Sequence, residues 1–251
     1  MMNFQVSLPG KKLVNELSRL ILDEDWATAE QYCRAYPKEA KEWSVRSGFF
    51  EGLKDSNVLP LHSACALRPP PTILNALLRA YPRAIMAKES AYSRLPLHIA
   101  CRSGADATTV ACLIGYFPGA AQVEDTLGRL PIHYALSNGS KPDVIDALLR
   151  TAPNAARAYD RRGWLPIHVA CSVGASFGVV VSLIEAYPAS SVLVTEKGST
   201  PLKCLDLTQP SSERDQIASY LRRARKNYEK SRDGEVKVAK RPAANSTRYL
   251  I

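Results

Sequence analysis

The sequence predicts an all-α fold, a solenoid of stacked helix-turn-helix units, and three observations predict it. A heptad recurs four times in register: Leu59-Pro60-Leu61-His62-Ser63-Ala64-Cys65, Leu95-Pro96-Leu97-His98-Ile99-Ala100-Cys101, Leu130-Pro131-Ile132-His133-Tyr134-Ala135-Leu136 and Leu165-Pro166-Ile167-His168-Val169-Ala170-Cys171, with a weaker fifth copy from Thr200-Pro201-Leu202-Lys203. The prolines are 35 or 36 residues apart, a period that marks a repeat architecture. A second signature keeps phase with the first: Tyr81-Pro82, Phe117-Pro118, Ala152-Pro153 and Tyr187-Pro188, each just after a pair such as Leu77-Leu78 or Leu113-Ile114. Turn signals, Asp125-Thr126-Leu127-Gly128 and Asp160-Arg161-Arg162-Gly163, separate the units.

Each element follows from local chemistry. Proline suits the first helical turn, where its missing N–H costs nothing. Pro96 therefore opens a short helix through about Ser103, and Gly104 ends it; Gly139 and Gly174 occupy the same place in their units. Val110, Leu113, Ile114 and Phe117 fall at i, i+3, i+4 and i+7, so a second amphipathic helix runs from about Thr108 to Phe117. Pro118 stops it. One helix pair cannot bury its own apolar face, whereas stacked pairs can.

The ends read as caps. Leu13, Leu17, Leu20 and Ile21 form one stripe; Asp25 is placed to N-cap a second, made of Trp26, Ala29, Cys33 and Tyr36 and closed by Pro37. The expected organisation is a flexible N-terminus over 1–10, a capping helix pair and connector over 11–58, four repeats over 59–199, a degenerate capping repeat over 200–230 and a flexible basic tail over 231–251. The connector from Lys38 to Val58 is longer than the other links, as a specialised loop would be. Ile217, Leu221, Ala224 and Tyr228 make the apolar stripe of a capping helix from about Ser212 to Lys230.

This pattern resembles the ankyrin repeat, in its Thr-Pro-Leu-His-x-Ala start and its Asp-x-x-Gly turn, over about Asp55 to Arg225. It departs in its period, 35 where about 33 is usual, and in leucine where threonine opens the repeat, in all four histidine-bearing units. In the family the threonine hydroxyl bonds the histidine of its own unit, so the resemblance implies that this bond, worth roughly 0.5–1.5 kcal/mol, is lost here. It also implies that each histidine bonds backbone of the next unit. Partners would be met by the finger turns and the inner helix face. Carried over position by position, these are Tyr92 and Arg94, then Leu127 and Arg129, then Arg161, Arg162 and Trp164, with Arg102, Ser137, Asn138 and Ser172 on the inner helices, all expected on one concave surface. Arginine and aromatic residues are the types favoured at binding hot spots, and an acidic or carboxylate-bearing protein segment is the expected partner. Trp164 is the most telling member, since a large apolar side chain at a fingertip has little core to join.

Composition points the same way. Apolar residues are 46% and charged residues 23% of the 251-residue chain, an ordinary globular balance. There is neither a secretory pattern nor an apolar run of the roughly 18 residues a membrane span needs. The expectation is a monomer in the cytoplasm and/or nucleus, not secreted and without membrane contact. The six cysteines are then free thiols. All four histidines, His62, His98, His133 and His168, are repeat positions. Helices about 8–10 Å apart cannot converge them on one zinc ion, whose ligands lie at about 2.0–2.3 Å, so they are structural. Phosphate loop, HExxH and nucleophile-elbow motifs are all lacking. No catalytic, cofactor or metal residue is assigned, and an enzyme is not expected.

The net charge of +9 sits mainly in the tail: residues 211–251 hold 11 Lys/Arg against 5 Asp/Glu. Arg222, Arg223, Arg225 and Lys226, followed by Lys237, Lys240 and Arg241, resemble a bipartite nuclear import signal; a solvated helix face is the alternative. The leading function is a non-catalytic adaptor or scaffold. The second is a nuclear or nucleic-acid-associated regulator using the basic tail, its contacts mainly electrostatic because Tyr249 is the only aromatic residue beyond the capping helix.

Overall fold

The computed structural model describes residues 15–49 and 54–232. Helices α1 (Glu16–Leu22) and α2 (Trp26–Ala35) come first. Asn15 caps α1, its side chain accepting the Ser18 N–H at 2.9 Å, and Asp25 caps α2 by accepting the Thr28 N–H at 3.2 Å. Leu17, Leu20 and Ile21 of α1 and Ala29 and Cys33 of α2 are buried; Leu13 lies outside the described residues. Tyr36 departs from its expected stripe. Helix α2 ends at Ala35, so Tyr36 becomes the cap residue, 56% exposed and stacked on the Tyr32 ring at 4.6 Å.

The long connector forms a 3-10 turn (Pro37–Lys41) and then a two-stranded antiparallel ribbon, β1 (Ser44–Arg46) against β2 (Ser56–Val58), with Ser44 opposite Val58. Ser56 and Val58 are buried and Asn57 between them is exposed, the period of two that a half-buried strand requires. This ribbon holds the only strands among the described residues, and twelve α-helices make up most of the rest.

The repeated units follow: α3 (Pro60–Ala66) with α4 (Pro71–Ala80), α5 (Pro96–Arg102) with α6 (Ala107–Tyr116), α7 (Pro131–Ser137) with α8 (Pro142–Thr151), and α9 (Pro166–Val173) with α10 (Phe177–Ala186). Helix α11 (Pro201–Leu205) and the longer α12 (Ser212–Arg232) close the row. Every first helix opens on its proline. In α5, α7 and α9 the end is a paired hydrogen-bond motif: Ala105 N–H donates to Ala100 O and Gly104 N–H to Cys101 O, and the same two bonds recur at Ser140/Gly139 and Ala175/Gly174. The glycine takes a left-handed backbone, φ +76, +69 and +67 at Gly104, Gly139 and Gly174. At the matching position after α3 stands Arg68, also left-handed at φ 53. The proline after each second helix does more than stop it. Its fixed φ starts a 3-10 turn, at Pro82–Met86, Pro118–Gln122, Pro153–Arg157 and Pro188–Ser191.

First helices pack on first helices in the order α3, α5, α7, α9, α11; second helices pack in the order α2, α4, α6, α8, α10, α12; α1 sits on α3. Equivalent residues therefore form buried columns, such as Leu61, Leu97, Ile132 and Ile167. Ala64, Ala100, Ala135 and Ala170 form a column of small residues that lets the first helices approach. On the second helices Leu77, Leu113, Leu148 and Leu183 are each no more than 1% exposed; truncating one to alanine would cost about 2–5 kcal/mol. Helix α12 closes the apolar end with Ile217, Ala218 and Leu221, and its Glu213 carboxylate accepts the Phe177 N–H at 2.9 Å.

Candidate functional site: the row of turns

One acidic residue organises each turn that leads into a first helix. The Asp125 carboxylate accepts the N–H groups of Leu127 (2.8 Å) and Arg129 (2.9 Å); that of Asp160 accepts those of Arg162 and Trp164, both at 2.9 Å. Glu89 does the same for Ala91, Tyr92 and Arg94 in a turn one residue longer, and Thr195 accepts the Ser199 N–H at 3.1 Å. Neighbouring tips are tied by main chain: Thr126 N–H to Tyr92 O at 2.9 Å and Arg161 N–H to Leu127 O at 3.0 Å. These bonds make Tyr92, Leu127 and Arg162 equivalent. The close approach demands glycine at Gly163, where φ is +71 and an added Cβ would come within 2.8 Å of the Glu196 nitrogen.

The histidines form a second set of staples. In each of His62, His98, His133 and His168, Nδ1 accepts the main-chain N–H of the leucine that opens the unit, at 3.0 or 3.1 Å. The own-unit bond expected to vanish with threonine is therefore kept, through backbone instead of a hydroxyl, by the side chain of the third helical residue. With Nδ1 accepting, the proton is on Nε2. It is donated to Ala87 O (3.0 Å) by His62, to Val123 O (2.9 Å) by His98 and to Leu193 O (3.1 Å) by His168. His133 faces Ala158 and Trp164 in the same way but closes no bond of standard geometry. Burial holds His62, His98 and His133 down to about 4 and lowers His168 too, so all four are neutral. In the last unit Lys203 replaces histidine, and Thr200 caps instead, accepting the Lys203 N–H at 3.2 Å.

Between the first and second of these turns lies a buried polar cluster. Arg94, expected on the binding surface, is 0% exposed. Its Nε donates to Tyr134 Oη at 3.0 Å and lies 3.4 Å from Asp125 Oδ2, while the Tyr134 hydroxyl donates to the same carboxylate oxygen at 2.5 Å. The guanidinium carbon sits 4.2 Å from the Tyr92 ring centre and 5.0 Å from that of Tyr134. Burial, then the bond to Asp125, pushes the Tyr134 phenol up to about 12. Arg94 is thus a fastener between units and cannot reach a partner. Tyr134 and Asp125 were missed as its companions. The available signal was a tyrosine in a column otherwise filled by Ser63, Ile99 and Val169, since a buried phenol needs a partner.

The motif repeats with decreasing charge. Arg129 Nε lies 3.6 Å from Asp160 Oδ2, with the Arg129 side chain 25% exposed. One unit on, the corresponding pair is Trp164 and Thr195. Trp164 is half-buried against the core, edge-on to the His168 ring at 6.3 Å. It does have a core to join, contrary to expectation, because the column directly before each Leu-Pro pair points inward. Arg161 and Arg162 are exposed, and neither makes an ion pair among the described residues. Tyr92 and Leu127 are half-buried at the tips. On the first helices Arg102 is half-buried; Ser137 and Ser172 bond carbonyls of their own helices, Tyr134 O and Val169 O. The Asn138 amide, oriented to suit both neighbours, bonds Arg102 O and Gly104 N, each at 3.1 Å. Ser172 also borders a pocket of about 460 Å³ lined by Val173, Leu207, Pro210, Arg214 and Ile217.

Arg222, Arg223, Arg225 and Lys226 lie on α12 and are exposed, with Arg225 paired to Glu229 at 2.7 Å. Buried Leu221 and half-buried Ala224 hold this cluster as a helix; Lys237, Lys240 and Arg241 lie outside the described residues. All six cysteines are unbridged, and burial raises the thiol of Cys101 to about 12. Among the described residues no group of three or more His, Cys, Asp or Glu could hold a metal ion, and no helix is long and apolar enough to cross a membrane. Comparison of the sequence with models of known protein families and with curated proteins finds no match.

Proposed function

We propose that the chain is an ankyrin-type solenoid and a non-catalytic protein-binding module, an adaptor or scaffold whose row of turns meets an acidic segment of a partner. The observation that carries this is the pair Arg161 and Arg162, exposed and without ion pairs among the described residues, next in sequence to half-buried Trp164. Two unneutralised guanidinium groups on a rigid turn are matched to carboxylates, which they grip through paired N–H donors. The rigidity comes from the Asp160 bonds beneath the tip, so little ordering entropy is lost on binding. The histidines support a non-catalytic role, because every one is buried with Nδ1 occupied and none is open to a substrate.

Affinity capture on the full chain and on an Arg161→Glu/Arg162→Glu variant, read by mass spectrometry, tests this function. Proteins recovered by the first and lost by the second are expected, with unfolding curves that coincide. Equal recovery by both would overturn it. A second function, nucleic-acid association, draws support from the exposed cations on α12; it would show as DNA retention falling steeply with salt and lost in an α12 charge-neutralised variant.

A further inference from the structure

The tips of successive turns change character along the row. The main-chain bonds Thr126 N–H to Tyr92 O and Arg161 N–H to Leu127 O put Tyr92, Leu127 and Arg162 in one column. The turn Thr195-Glu196-Lys197-Gly198 copies Asp160-Arg161-Arg162-Gly163, which adds Lys197 as the fourth member. Read in order the column is tyrosine, leucine, arginine, lysine. Its first two members are half-buried and its last two exposed. The parallel column runs Ala91, Thr126, Arg161, Glu196, and no ion pair joins Arg161 to Glu196. At the apolar end the cations lie off the tip column: the Lys54 ammonium is 5.5 Å over the Tyr92 ring, Arg94 is buried beneath it, and exposed Lys88 precedes the Glu89 that closes the turn. Cations open to a ligand therefore concentrate over the third and fourth of these turns, and apolar surface over the first and second.

The row also sets a spacing. Packed helices stand about 8–10 Å apart, so equivalent tips recur at about that step. An extended chain in the polyproline II form advances about 3.1 Å per residue and presents the same face at every third residue, so it meets one tip every three residues. Ten residues reach all four tips. A helix meets the same step only every seventh residue and would need more than twenty.

We propose that the row of turns reads an extended, amphipathic acidic segment of another protein, one side chain per unit at three-residue intervals, with its apolar end over Tyr92 and Leu127 and its carboxylates over Arg161, Arg162 and Lys197. This rests on the binding function above and adds the composition, order and spacing of the ligand. Tyr92 and Leu127 offer the ligand's apolar side chains a surface that the tip-to-tip hydrogen bonds hold in place.

The test is a phage-displayed library of random 12-residue peptides, panned on the full chain. Parallel selections use Arg161→Glu/Arg162→Glu and Leu127→Ser variants whose circular dichroism and unfolding curves match the parent. Enriched peptides should carry two apolar residues and then two Asp or Glu residues, each at three-residue spacing. Synthetic copies should bind the charge-reversed variant about tenfold more weakly or worse, and copies with lysine for the acids should recover binding to that variant. Apolar and acidic positions seven residues apart would overturn the extended form. Peptides sensitive to Leu127→Ser but indifferent to the charge reversal would overturn the polarity and leave the binding module standing. No enrichment over blank beads would overturn both, and a 20-base-pair DNA duplex that displaces the peptides and is itself lost on charge reversal would assign the row to nucleic acid instead.

Discussion

Replacing Arg94 by methionine keeps the length of the side chain and removes its charge. Among the contacts then lost are the 3.0 Å bond to Tyr134, the 3.4 Å ion pair with Asp125, and the stacking over the rings of Tyr92 and Tyr134. Asp125, whose side chain is also 0% exposed, keeps its charge in a dry place. Breaking a buried pair by removing one partner costs about 3–5 kcal/mol, because the remaining charge is left uncompensated. Asp125 still holds the Tyr134 hydroxyl and two main-chain N–H groups, which places the cost at the lower end, about 3 kcal/mol. The Arg94→Met/Asp125→Asn double variant leaves no lone charge, so its cost falls well below the sum of the singles, with a coupling of about 1–3 kcal/mol. Urea unfolding followed by far-ultraviolet circular dichroism measures all four corners of the cycle. A single-variant cost under 1 kcal/mol, or strict additivity, would refute the view that this cluster fastens the second unit to the third.

Three further outcomes are expected. The histidines are pushed below their ordinary 6.5, to about 4 for His62, His98 and His133; as bases held neutral they contribute stability that is complete above pH 6.5 and is lost as pH falls toward 4, roughly 3 kcal/mol for each of the three. Chemical denaturation at a series of pH values should therefore show stability falling over this window, and less steeply in a His62→Gln variant. Arg68 and Ser93 hold left-handed backbones that glycine fills elsewhere, so Arg68→Gly and Ser93→Gly should each raise stability by up to about 1 kcal/mol, seen as a higher urea midpoint at unchanged slope. Gly163→Ala and Gly139→Ala share a positive φ, but only the first meets backbone, 2.8 Å away, while the second faces open space; the first should cost at least about 1 kcal/mol more.

The helical units were legible because each boundary is encoded locally and repeated. Proline opens Pro96, Pro131 and Pro166, glycine closes at Gly104, Gly139 and Gly174, and a single accident cannot mimic that register. The ribbon of β1 and β2 was not legible. Three residues per strand carry too little alternation, and β1 matters only through its partner ten residues on. At the turns the local pattern shows which residues cluster but not which way they point. Arg94 and Arg162 lie in turns of the same kind, yet the first falls in the column directly before Leu-Pro, shared with Val58 and Trp164, and the second in the tip column. Apolar members of a column mark it as inward, and the extra residue in the Glu89 turn hid that alignment. The histidine bond to backbone was similarly hidden, because the leucine that replaces threonine offers a main-chain N–H that no side-chain comparison reveals.

If the stacked unit is the true building block, one whole unit can be cut out and the joint will still fit. Deleting residues 131–165 joins Leu130 to Pro166 and sets α9 on α5, with Ile167 replacing Ile132, His168 replacing His133 and Ala170 replacing Ala135. Urea unfolding of this shortened chain should remain a single cooperative transition, at lower stability and with a slope smaller by roughly a seventh, in proportion to the surface removed. Loss of a cooperative transition in that in-register deletion would contradict the stacked-unit architecture on which the proposed binding surface depends.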